Sequence, residues 1–264
     1  EGDRVAIEAA VSCGRCPRCI EGRQNLCPDV VFLGTPPYHG AYREYLVLPE
    51  ANVERIPDTM DFDTAALLEP LAIGLHAANL ADVQPGDRVG IFGAGPIGLC
   101  TLLGALARGA AEVMITDRIE PRLAMARRLG ATHTVNIDRE PAIETARALT
   151  AALGLDCTLE AAGDPEALND AAECVRRGGR MAIVGIPSGD TVTLPIHTIR
   201  RAELTIQNVR RSNRLLERSI DLVASGRMDV SPLATHRYTL DTVEDAFKLV
   251  DAYADGVVKA MVQM

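Results

Sequence analysis

The sequence predicts an α/β fold, in which a doubly wound parallel sheet follows a β-rich segment at the start of the chain. From about residue 85 onwards, short apolar runs alternate with helical segments at the spacing of βαβ units. Residues 1–67 instead combine strand-like runs with a loop rich in Cys, Gly, Pro and Arg. The aromatic content is 3% and Trp is absent, so the core must be built from aliphatic side chains, as is typical of parallel sheets.

The sheet is predicted to contain six strands, each a short apolar run bounded by turn residues or by a helix. In chain order these strands span residues 87–92, 112–116, 133–136, 156–160, 180–184 and 204–209. Helices are predicted between them at residues 96–108, 121–129, 141–153 and 165–175. Alternation of this kind implies right-handed crossovers and hence a parallel sheet.

The segments before and after the alternating region do not show the regular alternation of strands and helices. Strands are predicted at residues 4–7 and 42–48, and the end of the chain carries predicted helices at 213–225 and 242–254 and a strand at 257–262. We expect this last part to return to the first domain. The chain is therefore divided into residues 1–69, 70–208 and 209–264.

Charge and hydropathy exclude two classes of function. The net charge is −9, and the densest basic stretch, around Arg210 and Arg211, is too short to form a nucleic-acid-binding stripe. No apolar run approaches the ~18 residues that suggest a membrane span. The chain opens with Glu1 and shows no signal peptide, so we expect a cytoplasmic protein.

A cluster of cysteines is the sharpest local motif. The spacing is Cys13-x-x-Cys16-x-x-Cys19-x7-Cys27. Four thiolates at such spacing can close on one tetrahedral Zn²⁺, and because no coordination position stays open, this zinc would be structural. The alternatives are an iron–sulfur cluster or reduced cysteines without a metal. The other three cysteines lie in predicted helices and strands, where we expect them to be buried packing residues.

A glycine-rich turn joins the first predicted strand of the sheet to the helix that follows. The sequence is Gly93-Ala94-Gly95-Pro96-Ile97-Gly98, and it has the strand–turn–helix context that dinucleotide binding requires. Gly93 permits a tight turn, Gly95 allows the backbone to approach a pyrophosphate, and Gly98 allows close helix–strand packing. The start of the helix then offers free N–H groups to the phosphates.

Asp117 ends the second predicted strand, 19 residues after Gly98. A carboxylate at this place accepts hydrogen bonds from the adenosine ribose and repels a 2′-phosphate, so NAD is favoured over NADP. Arg118 follows directly and weakens this preference. Taken alone, Asp117 could also be a helix N-cap or a solvated turn residue.

Glu69, in Leu68-Glu69-Pro70-Leu71, is flanked by apolar residues just before the dinucleotide unit. A partly buried carboxylate needs a cation or a metal as its partner. The alternative is a glutamate at a helix start that interacts with the helix dipole. The spacing alone does not decide between the two.

These features, in this order, resemble the zinc-dependent medium-chain alcohol dehydrogenases, and most of all their sorbitol and xylitol (polyol) dehydrogenase branch. The matching stretches cover nearly the whole chain; besides the motifs above they are GDRVAIE at 2–8, GTPP at 34–37, LEPLAIGLH at 68–76 and PLATHRY at 232–238. The resemblance implies a GroES-like β-rich catalytic domain, 1–69 and 209–264, with a structural zinc lobe at 13–27. It also implies a Rossmann domain at 70–208.

The resemblance further implies the roles of individual residues. Cys13, Cys16, Cys19 and Cys27 would hold structural zinc, Glu69 would lie beside a catalytic zinc, and Arg210 would lie near the substrate. The NAD contacts would be made by Gly93, Gly95, Ile97, Gly98, Asp117, Arg122, Val184, Gly185, Ile186, Asn208, Val209 and Arg210. The reaction would be a hydride transfer between a secondary alcohol or polyol and NAD, with the catalytic zinc acting on the bound alcohol as a Lewis acid.

Two departures from the family pattern bear on function. The polyol enzymes usually have Tyr after the arginine that matches Arg210, whereas this chain has Arg211. A second guanidinium could favour a substrate with a carboxylate or phosphate, or it could face solvent. The family's Cys ligand and its His-Glu pair lie upstream of the strand at which this sequence begins, so we expect an incomplete GroES-like domain that lacks most catalytic zinc ligands and has little turnover.

Two other functions stay open. The first is a zinc-free, NADPH-dependent quinone reductase, against which the cysteine cluster and Asp117 argue. The second is an NAD-binding remnant without catalysis. We expect no nucleic-acid or membrane partner, and a homodimer or homotetramer with residues 204–209 near an edge of the sheet.

Overall fold

A parallel sheet forms where apolar runs alternate with helices, and short antiparallel pairs form before it. The computed structural model describes all residues, Glu1–Met264. The strands are β1 Val5–Ile7, β2 Ala10–Val11, β3 Val31–Phe32, β4 Val53–Arg55, β5 Arg88–Phe92, β6 Glu112–Asp117, β7 His133–Asn136, β8 Leu155–Glu160, β9 Val175–Ile183, β10 Thr205–Asn208, β11 Ala234–Thr239 and β12 Lys259–Gln263. The helices are α1 Pro17–Ile20, α2 Phe62–Ala66, α3 Leu68–Leu80, α4 Pro96–Ala107, α5 Glu120–Arg128, α6 Ala142–Leu149, α7 Pro165–Cys174, α8 Ile196–Ala202, α9 Leu216–Ala224 and α10 Val243–Asp251.

The chain folds into two compact units. One unit comprises Glu1–Ala72 and Arg210–Met264, and the other comprises Ile73–Val209. The end of the chain thus belongs to the same unit as its beginning. None of the helices combines the length and the apolar character that a membrane-spanning helix requires.

All six predicted strands of the second unit form one sheet in the order β10-β9-β8-β5-β6-β7, and every neighbouring pair is parallel. The order places β5, the first strand, at the centre, with the chain winding outwards on both sides of it. This is the strand order of a Rossmann fold, in which the reversal point beside β5 is the usual place for a dinucleotide. The strand predicted at 204–209 is β10, and it lies at one edge of the sheet.

The core of the second unit is largely aliphatic, with Phe92 as an aromatic member. Phe92, Met114, Val135 and Met181, from four of the strands, are all at most 1% exposed, and they pack with Leu168 of α7. The remaining cysteines, Cys100, Cys157 and Cys174, are buried as well. Burial raises the pKa of the Cys157 and Cys174 thiols to about 12, so both are inert packing groups.

The first unit is built from short strand pairs. β1 pairs antiparallel with β4, β2 pairs antiparallel with β3, and β11 pairs parallel with β12. A small core joins the two ends of the chain, because Ala6 and Leu68 pack with Leu216 and Ile220 of α9. This packing is what holds residues 210–264 in the same unit as residues 1–72.

Two sequence predictions of secondary structure need correction, and helix α3 was not predicted. Residues 42–48 form no strand: Tyr42, Tyr45 and Val47 are 58%, 87% and 96% exposed and pair with no neighbouring strand. The helix predicted at 141–153 ends at Leu149, because Ala151 and Ala152 adopt left-handed φ angles of 49° and 64°. Helix α3 was not among the predicted elements, although a helix start is one of the two interpretations of Glu69; it forms even though Pro70 and Gly74 are unfavourable in a helix interior. Pro70, however, lies in the first turn, where its missing N–H costs nothing.

Candidate functional site

Four cysteine sulfur atoms lie close together in the loop between β2 and β3. The Sγ atoms of Cys13, Cys16, Cys19 and Cys27 are all within 4.8 Å of one another, and those of Cys13 and Cys19 are 4.0 Å apart. Tetrahedral zinc with Zn–S bonds of ~2.3 Å separates its sulfur ligands by ~3.8 Å, so a small inward movement closes this set on one ion. No disulfide links any of them. The donor set therefore fits the zinc that the spacing predicts.

The loop stabilises the thiolate form that a metal needs at Cys13, whereas the pKa of the Cys16 thiol is raised: the Cys19 amide lowers it, but burial and the neighbouring thiols of Cys19 and Cys13 outweigh that amide. Cys16 precedes the single turn of α1, and Cys19 lies within that turn. Hydrogen bonds from the backbone amides of Arg15 and Cys16 lower the pKa of the Cys13 thiol from 9.0 to about 7. The Cys13 amide in turn donates to Cys27 Sγ over 3.4 Å.

Two asparagines anchor the cysteine loop to the start of the C-terminal segment. The Asn25 side-chain amide donates to the carbonyl oxygen of Arg210 over 3.0 Å. The Asn213 side-chain amide donates to the carbonyl oxygen of Gly22 over 2.9 Å. The structure therefore places the cysteine loop directly beside residues 210–213.

In the second unit, the glycine-rich turn connects β5 to α4 and leaves open space at one position. A Cβ atom at Gly98 would lie 1.9 Å from the carbonyl oxygen of Gly93, and one at Gly93 would lie 2.9 Å from the amide nitrogen of Ala162. Gly93 also has φ of +106°. At Gly95, by contrast, a Cβ would meet only Arg122 Nη1, at 4.0 Å. The fold itself thus requires glycine at 93 and 98, whereas Gly95 faces free space beside a guanidinium.

Asp117 lies across from this turn at the end of β6. Its Oδ2 accepts a hydrogen bond from the Ala94 amide over 2.8 Å, and its Oδ1 accepts from the amides of Arg118 and Ile119 over 2.8 and 2.9 Å. These bonds fix the carboxylate and leave lone pairs for a further donor. The Arg118 guanidinium turns to two carboxylates, Asp138 at 3.7 Å and Glu166 at 3.6 Å, so its charge is partly compensated.

Most of the other residues that the resemblance assigns to the cofactor lie at the ends of β9 and β10. The amides of Val184 and Gly185 donate to the Glu160 carbonyl over 2.8 and 2.9 Å, and the Val209 amide donates to the Ile183 carbonyl over 2.8 Å. Because parallel strands end at the same edge of a sheet, these turns share that edge with the glycine-rich turn. Ile97 lies in the first turn of α4, Asn208 ends β10, and Ile186 is 91% exposed.

Glu160, at the end of β8, is a buried carboxyl that no sequence motif indicated. Its Oε1 accepts hydrogen bonds from the amides of Ala162 and Gly163 over 2.7 and 2.6 Å, and its Oε2 is buried without a hydrogen-bond partner. Burial raises its pKa, against the opposing effect of these amides. A carboxylate that ends an apolar strand just before Ala161-Ala162-Gly163 is the signal that could have found it.

In the first unit, Glu69 lies in the first turn of α3 and is half-buried. Burial raises its pKa, and the negative charge of Glu8 raises it further, whereas Lys259 and Arg211 lower it. Both interpretations of Glu69 therefore apply, because Glu69 lies at the start of a helix and its carboxyl group is also partly buried. Burial likewise raises the pKa of Glu8.

Arg211 belongs to the same cluster, and it does not simply face solvent. Its guanidinium carbon lies 4.0 Å above the Phe32 ring centroid, and Nη1 is buried without a hydrogen-bond partner. Burial lowers its pKa, as does the neighbouring charge of Arg210. Arg210 itself is exposed.

The cysteine set is the one place in the chain where at least three His, Cys, Asp or Glu side chains gather closely enough for a metal. Glu69 is not part of such a group. A zinc bound beside Glu69 would need further ligands, because catalytic zinc has three protein ligands.

Comparison with known proteins agrees with this arrangement. Residues 96–225 match the family described as zinc-binding dehydrogenase, and residues 1–58 match the alcohol dehydrogenase GroES-like domain. The sorbitol dehydrogenase of Bacillus subtilis (strain 168) is 41% identical over 261 residues, which are 99% of this chain and 74% of that protein. The chain belongs to the zinc-dependent alcohol dehydrogenase family, in its polyol dehydrogenase-like branch.

Two solved structures show the family fold along the whole chain. ECK1772 of Escherichia coli, an oxidoreductase of unknown specificity, has a TM-score of 0.95 and 41% identity, over 100% of this chain and 76% of that one. A zinc-binding dehydrogenase of Sinorhizobium meliloti 1021, bound to NADP, has a TM-score of 0.90 and 31% identity, over 100% of this chain and 77% of that one. Family membership makes the protein a zinc-binding oxidoreductase with a GroES-like and a Rossmann part.

Proposed function

We propose that the protein is an NAD-dependent dehydrogenase that transfers hydride between a secondary alcohol group of a polyol and the cofactor. The observation that carries this proposal is the open space at Gly95, beside the Arg122 guanidinium and close to the Asp117 carboxylate. The fold does not need glycine at this position, whereas a pyrophosphate that approaches the protein backbone closely does, which supports a pyrophosphate site at this turn. The sorbitol dehydrogenase relative supports a polyol as the substrate class.

The residues of the second unit would hold the dinucleotide. The amides at the start of α4 and the Arg122 guanidinium would bind the pyrophosphate, and Asp117 would accept hydrogen bonds from the ribose hydroxyls. Ile97, Val184, Gly185, Ile186, Asn208 and Val209 would line the adjoining cofactor surface, with Arg210 next to them in sequence. The nicotinamide, when bound, supplies the group that accepts hydride.

Glu69 and Arg210 would act on the substrate side. Glu69 would lie beside the catalytic metal, touching it directly or through water. Burial and the charge of Glu8 raise its pKa, and a bound cation would lower that pKa and stabilise the carboxylate. Cys13, Cys16, Cys19 and Cys27 would hold the structural zinc, whose four sulfur ligands exclude a role in the reaction itself.

The preference for NAD over NADP is tested by calorimetric titration of both dinucleotides. We expect NAD to bind more than about tenfold more tightly, since a 2′-phosphate beside Asp117 would meet a carboxylate. Asp117→Asn should weaken NAD binding by about tenfold and narrow its advantage over NADP.

Asp138→Asn is the matched control, because it removes a nearby carboxylate that pairs with Arg118 but does not contact the turn. Tighter binding of NADP than of NAD by the unaltered protein would favour the NADPH-dependent quinone reductase alternative. Heat from neither dinucleotide would contradict the proposed function as a whole.

A further inference from the structure

Arg211 holds an unusual position in the first unit. It is not a glycine, yet its backbone has a left-handed φ of 55°, a conformation that most side chains avoid. Its guanidinium lies flat enough over the Phe32 ring to bring the central carbon within 4.0 Å of the ring centroid. A cation stacked in this way loses the freedom that an exposed arginine has, so its nitrogen atoms point in fixed directions.

One of those nitrogens has no partner. Nη1 of Arg211 is buried, forms no hydrogen bond, and none of the guanidinium nitrogens pairs with a carboxylate within 4.0 Å. Buried donors are nearly always satisfied in folded proteins, and an unsatisfied charged donor is costly. A charged group that stays unpaired inside a site is therefore a candidate for binding a ligand.

The carboxylates nearby do not fill this role. Glu8 accepts hydrogen bonds from the Ala10 amide at 3.1 Å and from the Ser212 hydroxyl at 3.5 Å. Glu69 interacts with the positive charges of Lys259 and Arg211 only at longer range. Arg210 is also close to Arg211, and Lys259 is close to Glu69. Three positive side chains, Arg210, Arg211 and Lys259, therefore accompany two negative ones, Glu8 and Glu69, so a further anion would balance the charge.

We propose that Arg211 binds an anionic group of the substrate, so that the preferred substrate is a polyol that carries a carboxylate or a phosphate. A planar guanidinium pairs with either group through two parallel hydrogen bonds, which a neutral polyol cannot match. This rests on the proposed function, because it takes Glu69 to lie on the substrate side. The competing role for Arg211 is to neutralise Glu8 and Glu69 without contacting the substrate.

The test measures dissociation constants of the zinc-loaded, NAD-saturated protein for three probes: sorbitol, D-gluconate and sorbitol 6-phosphate. We expect one of the two anions to bind at least about tenfold more tightly than sorbitol. Arg211→Met, which keeps much of the side-chain length, should abolish this preference and leave sorbitol binding within about twofold. Arg211→Lys should retain part of it for the phosphate, since an ammonium binds phosphate as a point charge.

Arg214→Met is the matched control, because Arg214 also has a left-handed φ, of 54°, but is exposed. It should leave the ratio of anion to sorbitol affinity unchanged, and thermal unfolding of each variant verifies that it folds. The inference is overturned if the unaltered protein binds sorbitol as tightly as both anions, if it binds neither anion, or if Arg211→Met weakens all three probes equally. Normal NAD binding in those cases would leave the proposed function standing, whereas its loss would remove the function as well.

Discussion

Glu160 shows how a single buried side chain can link the stability of the sheet edge to pH. Its carboxyl is fully buried, and Oε1 accepts hydrogen bonds from two backbone amides while Oε2 has no partner. The nearby Asp164 amide also favours the charged form of the carboxyl. A Cβ at Gly185 would approach Oε2 to 2.7 Å, so the carboxyl fills the space between two turns at the cofactor edge. Its removal should therefore disturb those turns.

We predict a pH-dependent difference between Glu160→Gln and the unaltered protein. The pKa of Glu160 in the folded state is raised above its ordinary 4.5, so folding favours the protonated form. This stabilisation is complete below about pH 4.5 and is lost as the pH rises through the pKa of Glu160 in the folded state. The glutamine variant does not titrate, so its free energy of unfolding relative to the unaltered protein should increase with pH.

Urea denaturation of both proteins, at steps of about one pH unit between pH 4 and 8, measures this difference. Both proteins contain Glu8 and Glu69, so the contributions of these two residues cancel. Glu160→Ala leaves two amides without an acceptor and should lower the free energy of unfolding by about 2–4 kcal/mol. A glutamine-to-glutamate difference that stays constant across this range would show that Glu160 does not titrate there.

At the scale of residues, motifs contiguous in sequence could be predicted and clusters assembled from distant residues could not. The four cysteines and Gly93–Gly98 lie within 15 and six residues, so local spacing already describes their geometry. Glu69 and Arg211 belong to the two separate segments of the first unit, close enough for their charges to interact, and nothing in the local sequence of either indicates the other. The stacking of Arg211 on Phe32 depends in the same way on long-range packing.

At the scale of elements, the turn between β5 and α4 contains one glycine that the fold requires, Gly98, and one that only a bound ligand would require, Gly95. Gly95 has φ of −68° and ψ of −178° at the N-cap of α4, which alanine can adopt without strain. Gly98 lies where a methyl group would press on the Gly93 carbonyl. The same substitution at these two positions should therefore have opposite consequences.

We predict that Gly95→Ala folds normally but binds NAD at least about tenfold more weakly, because its methyl group occupies the approach of the pyrophosphate. Its free energy of unfolding should change by less than about 1 kcal/mol. Gly98→Ala should instead lose about 2–3 kcal/mol of stability through overpacking. Chemical denaturation and NAD calorimetry on both variants measure this, and a Gly95→Ala variant with unchanged NAD affinity would exclude a pyrophosphate at this turn.

The strands of the parallel sheet were the most predictable elements, because strands buried on both faces are short apolar runs with clear boundaries. The strand prediction at residues 42–48 was wrong for a physical reason. A strand-like sequence describes a single strand and carries no information about whether a partner strand is present. Helix α3 was missed for a related reason. Its Gly74, a helix breaker by propensity, lies where a Cβ would be 2.3 Å from the Cys100 backbone, so close packing with α4 outweighs propensity.

At the scale of the whole molecule, the first unit is made from the two ends of the chain, and few long elements stabilise it. Its strands are two to six residues long, whereas the second unit has a continuous six-stranded sheet. The cysteine loop is held by Asn25 and Asn213 and by short backbone bonds, so it depends more on a bound ion than a packed core would. The effect of metal removal should therefore be confined largely to this loop.

We predict that the protein binds one structural zinc ion per chain at the cysteine loop, and that its removal by a chelator accelerates amide exchange at residues 13–27 but not in β5 and β6. Cys19→Ser should abolish this ion, because a serine hydroxyl does not replace a thiolate ligand. Cys174→Ala, at a buried cysteine outside the set, should keep the ion despite some loss of stability. Metal analysis and hydrogen exchange of the three proteins make the measurement. Full zinc occupancy in Cys19→Ser would refute the assigned ligands, and the visible absorption of an iron–sulfur cluster in the unaltered protein would refute the assigned metal.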